Sequence, residues 1–152
     1  AEDTMNLSQV FAIVAFVAVC AAPLHAAEEA PSGPFVTQDS VDLAQFLWIN
    51  RPIVVFADSP ADPRFVEQMK FLEADLDALV QRDVVVLTDT DPAAKSALRT
   101  ALRPRGFGLV LIDKDGEVKL RKPAPWSTRE ISRSIDKWPT RQQEIREKLG
   151  KE

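Results

Sequence analysis

Cysteine and histidine each occur once in the 152 residues, as Cys20 and His25, and tyrosine does not occur. Both single residues lie near the start, so everything beyond His25 lacks a thiol and an imidazole. A segment without cysteine cannot run dithiol exchange, reduce a peroxide through a thiolate or form a disulfide. Without histidine, the commonest general base and metal ligand is missing as well. Positive charge is scarce at the same end, since no Lys or Arg precedes Arg51. The net charge is −4. A slightly acidic chain is a poor match for nucleic acid, which favours basic surfaces, and no nucleic-acid partner is expected.

What the first residues do hold is the unbroken apolar run Val10–Ala22, followed by Pro23 and by the small residues Ala26 and Ala27. The run is shorter than the roughly 20 residues of a membrane-spanning helix. It fits the roughly 7–15 residues of a signal-peptide core. Residues 1–26 are therefore expected to be a signal peptide, cut after Ala26 or Ala27, with Met5 a candidate start. A periplasmic or secreted protein with no membrane span after cleavage follows. The missing positive n-region leaves open an uncleaved membrane tether, and Val17-Ala18-Val19-Cys20 is a poor lipoprotein signal. Residues 27–38, rich in Pro, Gly, Ser and Glu, read as a flexible linker, and residues 39–150 as one domain, long enough to bury a core without disulfides.

Within that domain three short runs are continuously apolar: Ile53–Phe56, Val84–Leu87 and Leu109–Ile112. Strands buried on both faces read this way. A short helix capped by Asp39 or Ser40 is expected before Arg51-Pro52. Asp62-Pro63 opens a helix to about Val80, with Phe65, Met69, Leu72, Leu76 and Leu79 on one stripe. Asp91-Pro92 opens a shorter helix to about Leu102. Asp115-Gly116 signals a hairpin into the alternating strand Glu117–Arg121, with Val118 and Leu120 facing inward. Ser127 and Glu130 have capping-box spacing. Pro139 should break or kink the helix that follows. The order β-α-β-α-β-β-α combines a parallel pair with an antiparallel hairpin. It predicts an α/β thioredoxin-like three-layer fold with a mixed four-stranded sheet. A flavodoxin-like sheet is the alternative, less compatible with the hairpin.

Several stretches carry a resemblance: Phe46-Leu47-Trp48-Ile49-Asn50-Arg51-Pro52, Phe56-Ala57-Asp58-Ser59 with Asp62-Pro63-Arg64, Lys114-Asp115-Gly116 with Val118–Arg121, and Ile135-Asp136 with Pro139 and Arg141. In combination, over Val41 to Arg146, the chain resembles the bacterial domain-of-unknown-function family 4174. That family is related to the DUDES-type domain of vertebrate extracellular-matrix proteins. The resemblance implies a thioredoxin- or peroxiredoxin-like fold and an exported protein, and brings no agreed catalytic residues.

In thioredoxins the Cys-x-x-Cys pair falls where this chain has Ala61-Asp62-Pro63-Arg64, with both cysteines replaced. The cis-proline position falls near Gly106-Phe107-Gly108. Thiol–disulfide oxidoreductase and peroxidase activities are excluded on that chemistry. The expected role is a non-redox binding or interaction module for a protein or a small anionic ligand, with no cofactor. Arg64, Arg105, Phe107 and Trp126 are the candidate contact residues, and Arg103 is the other forked cation leading into the third strand. Trp126 lies in a proline-rich loop that reads as exposed. The other cations, Arg51 among them, read as scattered surface charge. Asp58, Asp62, Asp89 and Asp91 should gather at strand ends, where oxygen-rich clusters can hold Ca²⁺ or Mg²⁺. They are read either as helix caps and turn residues or as the metal site of a hydrolase. The leader gives the first test. N-terminal sequencing of the exported protein should begin at Ala27 or Glu28, and an intact mass retaining Val10–Ala22 would show a tether instead.

Overall fold

The structure is a computed structural model and describes residues 33–36 and 41–151. The expected signal peptide, most of the linker, Cys20, His25, Asp39 and Ser40 lie outside the described residues.

Four strands form one sheet: β1 (Arg51–Phe56), β2 (Val84–Asp89), β3 (Gly108–Ile112) and β4 (Val118–Lys122). Their spatial order is β2-β1-β3-β4. β1 and β2 run parallel, with Ile53 opposite Val86, while β3 is antiparallel to both of its neighbours. The apolar runs sit in this sheet for a simple reason. A strand covered on both faces must be apolar at every position. Ile53 and Val55 of β1, Val84 and Val86 of β2, and Leu109 and Leu111 of β3 face one core. Val54, Phe56, Val85, Leu87, Val110 and Ile112 face the other.

Helices α1 (Pro63–Glu73), α2 (Leu76–Val80) and α4 (Thr128–Ile135) close the first core through Leu72, Leu79, Ile131 and Ile135. Helix α3 (Ala97–Leu102) and a 3-10 turn at Leu43–Phe46 close the second through Leu98, Leu102 and Phe46. This is the three-layer arrangement that the segment order predicts.

Local chemistry moves several boundaries. The expected helix from Asp62 to Val80 is two helices, because the Asp75 side chain accepts from Ala78 N at 3.1 Å and restarts the chain as α2. The Asp91-Pro92 signal starts only a 3-10 turn. Lys95 then turns left-handed, and Ser96 caps α3. Pro139 breaks the helix as expected: α4 ends at Ile135, and Pro139 opens helix α5 (Pro139–Leu149), as suits a proline whose missing N–H falls in a first turn. The turn before β1 is capped by Asp42. The capping box of Ser127 and Glu130 forms as expected.

Strand β4 departs from strict alternation. The pairing shifts between Leu111 and Ile112: Leu120 is opposite Leu111 but Val118 is opposite Ile112, so Lys119 is an extra, bulged residue on β4. An irregular register of this kind offsets the period-2 pattern. As a result Leu120 packs on the first core and Val118 on the second, not on one face together. The hairpin turn needs its glycine because Gly116 has φ +84; a Cβ there would also push aside Leu47 Cδ2, 2.8 Å away.

Arg51 is the largest correction to the sequence reading. It is not surface charge but the first residue of β1, and it is 0% exposed. All five of its N–H groups are met. Nε donates to Asp113 Oδ1 at 3.0 Å, Nη1 to the Arg82 carbonyl and Glu144 Oε2, and Nη2 to Thr140 Oγ1 and Glu144 Oε1. Thr140 Oγ1 in turn donates to the Asp113 carboxylate at 2.8 Å. Pro52 fits beside it in a central strand. Arg51 N points to β2, where it meets Asp83 O. The next nitrogen, Pro52's, therefore points to the β3 side, where pairing begins only at Ile53.

Glu144 reports this network's electrostatics. Burial pushes its carboxyl up, but hydrogen bonds from Arg51, Lys114 and Arg141 outweigh that and bring it down from 4.5 to about 2. A carboxylate depressed in the fold stabilises the fold above its unfolded pKa and loses that contribution as pH falls. The window therefore runs from about pH 4.5 down to about 2, and the contribution is on the order of 2–3 kcal/mol. Thermal melts of the full chain across that window should show Glu144→Gln less stable at neutral pH and losing less on acidification. An acid limb identical to the parent's would refute the assignment.

Candidate cationic site at the sheet edge

The expected contact residues come from three elements. Arg64 is on the first turn of α1, Arg105 and Phe107 are in the loop leading into β3, and Trp126 follows β4. Phe107 is buried in the first core. The Arg64 guanidinium lies over its ring, 5.5 Å from the centroid. The same guanidinium is held by Asp62, Nη2 to Oδ2 at 2.8 Å. That hydrogen bond is the leading cause of the lowered Asp62 pKa. Arg64 is thus one side of an exposed ion pair, and half of its side chain remains open to water.

On the far side of Phe107 is a depression of about 220 Å³. Its cations are Arg103, Arg105, Arg121 and Lys122, and its floor is Phe107, Leu109 and Val110 with Pro104 and Pro123 at the rim. No acidic residue lines it. None of these four cations forms a salt bridge among the described residues, whereas Arg51, Arg64, Arg82, Arg99, Lys114, Lys119 and Arg141 all do. Arg121 gives one N–H to the Leu102 carbonyl at 2.7 Å, which fixes it against the end of α3.

Lys122 Nζ sits 4.3 Å from the centre of the Trp126 ring, a cation–π distance. The four expected residues therefore lie along one strip: Arg64 on Phe107, Phe107 and Arg105 in the depression, and Lys122 bridging from the depression to Trp126. Arg121 and Lys122 are the members that sequence reasoning left among scattered charges. Their assembly depends on the β3–β4 pairing of Val110 with Arg121 and Leu109 with Lys122, which no local pattern encodes.

Trp126 is not the freely exposed anchor expected from its proline-rich loop. It is half-buried and packs on the first core. The cause is Gln68, fully buried on α1. Its Nε2 donates to the Trp126 carbonyl at 2.9 Å, and its Oε1 accepts from Trp126 N at 2.8 Å. This amide clamp satisfies both backbone groups where the loop enters the core. A signal was available: Gln68 falls three residues after Phe65 and four before Leu72, on the apolar stripe.

The four aspartates do not converge. Among the described residues no group of three His, Cys, Asp or Glu side chains is placed to hold a metal ion. Asp62 caps α1 and Asp91 caps the 3-10 turn. Asp89 takes the Ser96 hydroxyl, Arg99 Nε at 2.8 Å and Asp91 N. Burial raises its pKa, and these hydrogen bonds outweigh that to lower it. Arg99 also reaches the Ala57 carbonyl and lies over Phe56, tying the ends of β1 and β2 together. Asp58 is exposed.

The family model described as Domain of unknown function (DUF4174) matches residues 42–144. The chain belongs to that family. No curated protein sequence matches it. Among solved structures, the reduced 2-Cys peroxiredoxin of Plasmodium vivax is similar over 63% of this chain and 81% of its own, with 20% identity and a TM-score of 0.51. A chloroplastic thioredoxin z is matched over 66% of this chain and 92% of its own, at 20% identity and a TM-score of 0.48. At such identity the likeness concerns the fold alone, and the fold of this DUF4174 member is thioredoxin-like.

The amide clamp generates the test for this site. Gln68→Leu leaves Trp126 N and O without partners, a loss on the order of 1–3 kcal/mol. Hydrogen exchange at the Trp126 amide should accelerate in the variant, while exchange in β1 changes only by the global loss of stability. Unchanged exchange at Trp126 would show that the loop is held by something else.

Proposed function

We propose that this DUF4174 domain is exported and works as a binding module without redox chemistry, through the cationic strip at the α3–β3 and β4 end of the sheet. The observation that carries the reading is the set of four cations around one depression with no acidic residue on its wall. Arg51, Arg64, Arg82, Arg99, Lys114, Lys119 and Arg141 are drawn into ion pairs, whereas these four gather around one depression without one among the described residues. Leaving four cations unpaired at one place costs repulsion that an anionic contact would relieve. The absence of a nucleophilic thiol beyond Cys20 supports a role in contact rather than exchange. Forked guanidinium groups suit a carboxylate or phosphate, so the partner is a protein with acidic groups or a small anion.

The test is capture from the native envelope and culture medium with the full chain. A matched chain with Arg64→Ala, Arg105→Ala and Trp126→Ala serves as control, its folding checked by circular dichroism. A partner held by the first and lost by the second, and released by added salt, is the expected result. A partner held equally by both would remove the strip from the contact.

A further inference from the structure

The two edges of the sheet differ. At the β2 edge, Val86 N donates to the Pro34 carbonyl at 2.7 Å and Val36 N to the Val86 carbonyl at 3.0 Å. That edge is covered by a short parallel stretch bridging Phe35 to Val86. At the other edge, β4 pairs with β3 alone, and among the described residues no further backbone bond reaches Val118–Lys122. An open strand edge presents a row of free N–H and C=O groups and is a template for another strand.

Charge on this edge is uneven. Lys119, near its start, is matched by Glu117 and Asp115. Arg121 and Lys122, at its end, form no salt bridge among the described residues, the Glu130 carboxylate feeling Lys122 only as a more distant charge, and they stand with Arg103 and Arg105 around the depression. Strand-edge lysines commonly serve only to block aggregation, and a matched Lys119 fits that role. A block, however, does not need two further cations from the α3–β3 loop, nor an apolar floor. The same charges select the occupant. A second copy laid edge to edge would set Lys119, Arg121 and Lys122 against their own kind, and like charges opposite one another destabilise a strand pair. An acidic strand meets the reverse situation.

We infer that the open edge of β4 takes an extended acidic segment of a partner protein as an added strand, with a carboxylate of that segment in the depression bounded by Arg103, Arg105, Arg121 and Lys122. Main-chain hydrogen bonds along Val118–Lys122 hold the segment, and the cation cluster sets which segments are accepted, the usual division of labour in strand addition. The inference rests on the cationic strip being a binding surface and adds the partner's chemistry and the way it docks. The depression, at about 220 Å³, has room for one or two side chains but not for a folded surface.

The probe is a fluorescent, end-capped peptide alternating valine with glutamate, titrated into the full chain at low salt. A lysine counterpart, a glutamate peptide N-methylated on alternate amides, free glutamate and inorganic phosphate serve as the comparison arms. The expected result is a rise in anisotropy with the glutamate peptide only, and slowed hydrogen exchange at β4 amides. Binding should weaken about tenfold or more on N-methylation, which removes main-chain donors at unchanged charge, and in the Arg103→Ala, Arg121→Ala pair. That pair leaves Arg64, Arg105 and Trp126 intact, so the two readings separate. Binding that tolerates N-methylation, or competition by free glutamate or phosphate at equal strength, would overturn strand addition and leave an anion-binding surface standing. No peptide binding alongside intact, strip-dependent capture would likewise overturn only the strand addition. Failure of both would remove the surface itself.

Discussion

The guanidinium of Arg51 has no contact with water, so each of its five N–H groups must find an acceptor inside the protein. That requirement fixes how four pieces of chain meet. Asp113 comes from the end of β3, the Arg82 carbonyl from the turn before β2, and Thr140 and Glu144 from α5. Losing a neutral acceptor leaves one buried N–H unmet, at a cost of about 1–3 kcal/mol, and losing the pairing carboxylates leaves the buried charge uncompensated, at about 3–5 kcal/mol. Well-packed apolar residues in place of the whole group would cost far less. The network is therefore better understood as a device that selects one arrangement than as a source of stability. It accounts for the docking of α5, a helix with few apolar residues whose buried member is Arg141. Such a helix has little hydrophobic reason to sit anywhere in particular.

Separate ion-pair groups occupy the two ends of β1. Arg51 begins β1 and Asp113 follows β3, so the buried pair closes the end where β1 starts. Lys114, Arg141, Arg82 and their carboxylates extend it outward. At the other end of β1, Arg99 and Asp89 join the ends of the two parallel strands. These ion pairs hold Asp83, Asp89, Asp113 and Glu144 at the strand ends. The cluster at the α3–β3 loop and the end of β4 stands without a salt bridge among the described residues, in a chain whose net charge is negative. Its local field is short-ranged at physiological salt, falling off over about 8 Å. It can choose among partners already at the sheet edge more readily than it can draw them from a distance.

Much of the fold could be read from the residues. Ile53–Phe56, Val84–Leu87 and Leu109–Ile112 are apolar at every position because they are covered on both faces, and each became a strand. Asp62-Pro63 and Ser127 with Glu130 carry their caps within a few residues, and local signals of that kind survive folding. What escaped the sequence depends on distant pairing. Arg51 looks like any exposed arginine until Asp113, 62 positions away, is brought beside it. The bulge in the β3–β4 pairing moves Val118 to the opposite core from Leu120, and no strand pattern announces a bulge. Lys122 and Arg121 join Arg103 and Arg105 only through the register of β4. Arg64, Arg105, Phe107 and Trp126 were nameable because the fold places their segments at one end. The amide that seats Trp126 is contributed by α1, 58 residues earlier.

A thioredoxin-like sheet without a thiol retains two features that do not depend on sulfur: a helix N-terminus next to the end of β1, and an open strand at β4. In this chain the first is capped by a side chain. Asp62 caps α1 and grips Arg64, so the position where a thiolate would gain from the helix dipole holds an internal ion pair that satisfies itself. The second has been left open and its cations left unmatched. Capping one end and leaving the other unpaired puts the open backbone groups at the sheet edge. There, backbone groups supply affinity that any extended chain could use. On the proposed reading the sign of the charge limits the choice, because Arg121 and Lys122 would repel a second β4 and favour a carboxylate. An edge that resists its own copy while remaining unpaired is a different solution from an edge that is merely hidden, as the Pro34–Val36 stretch hides β2.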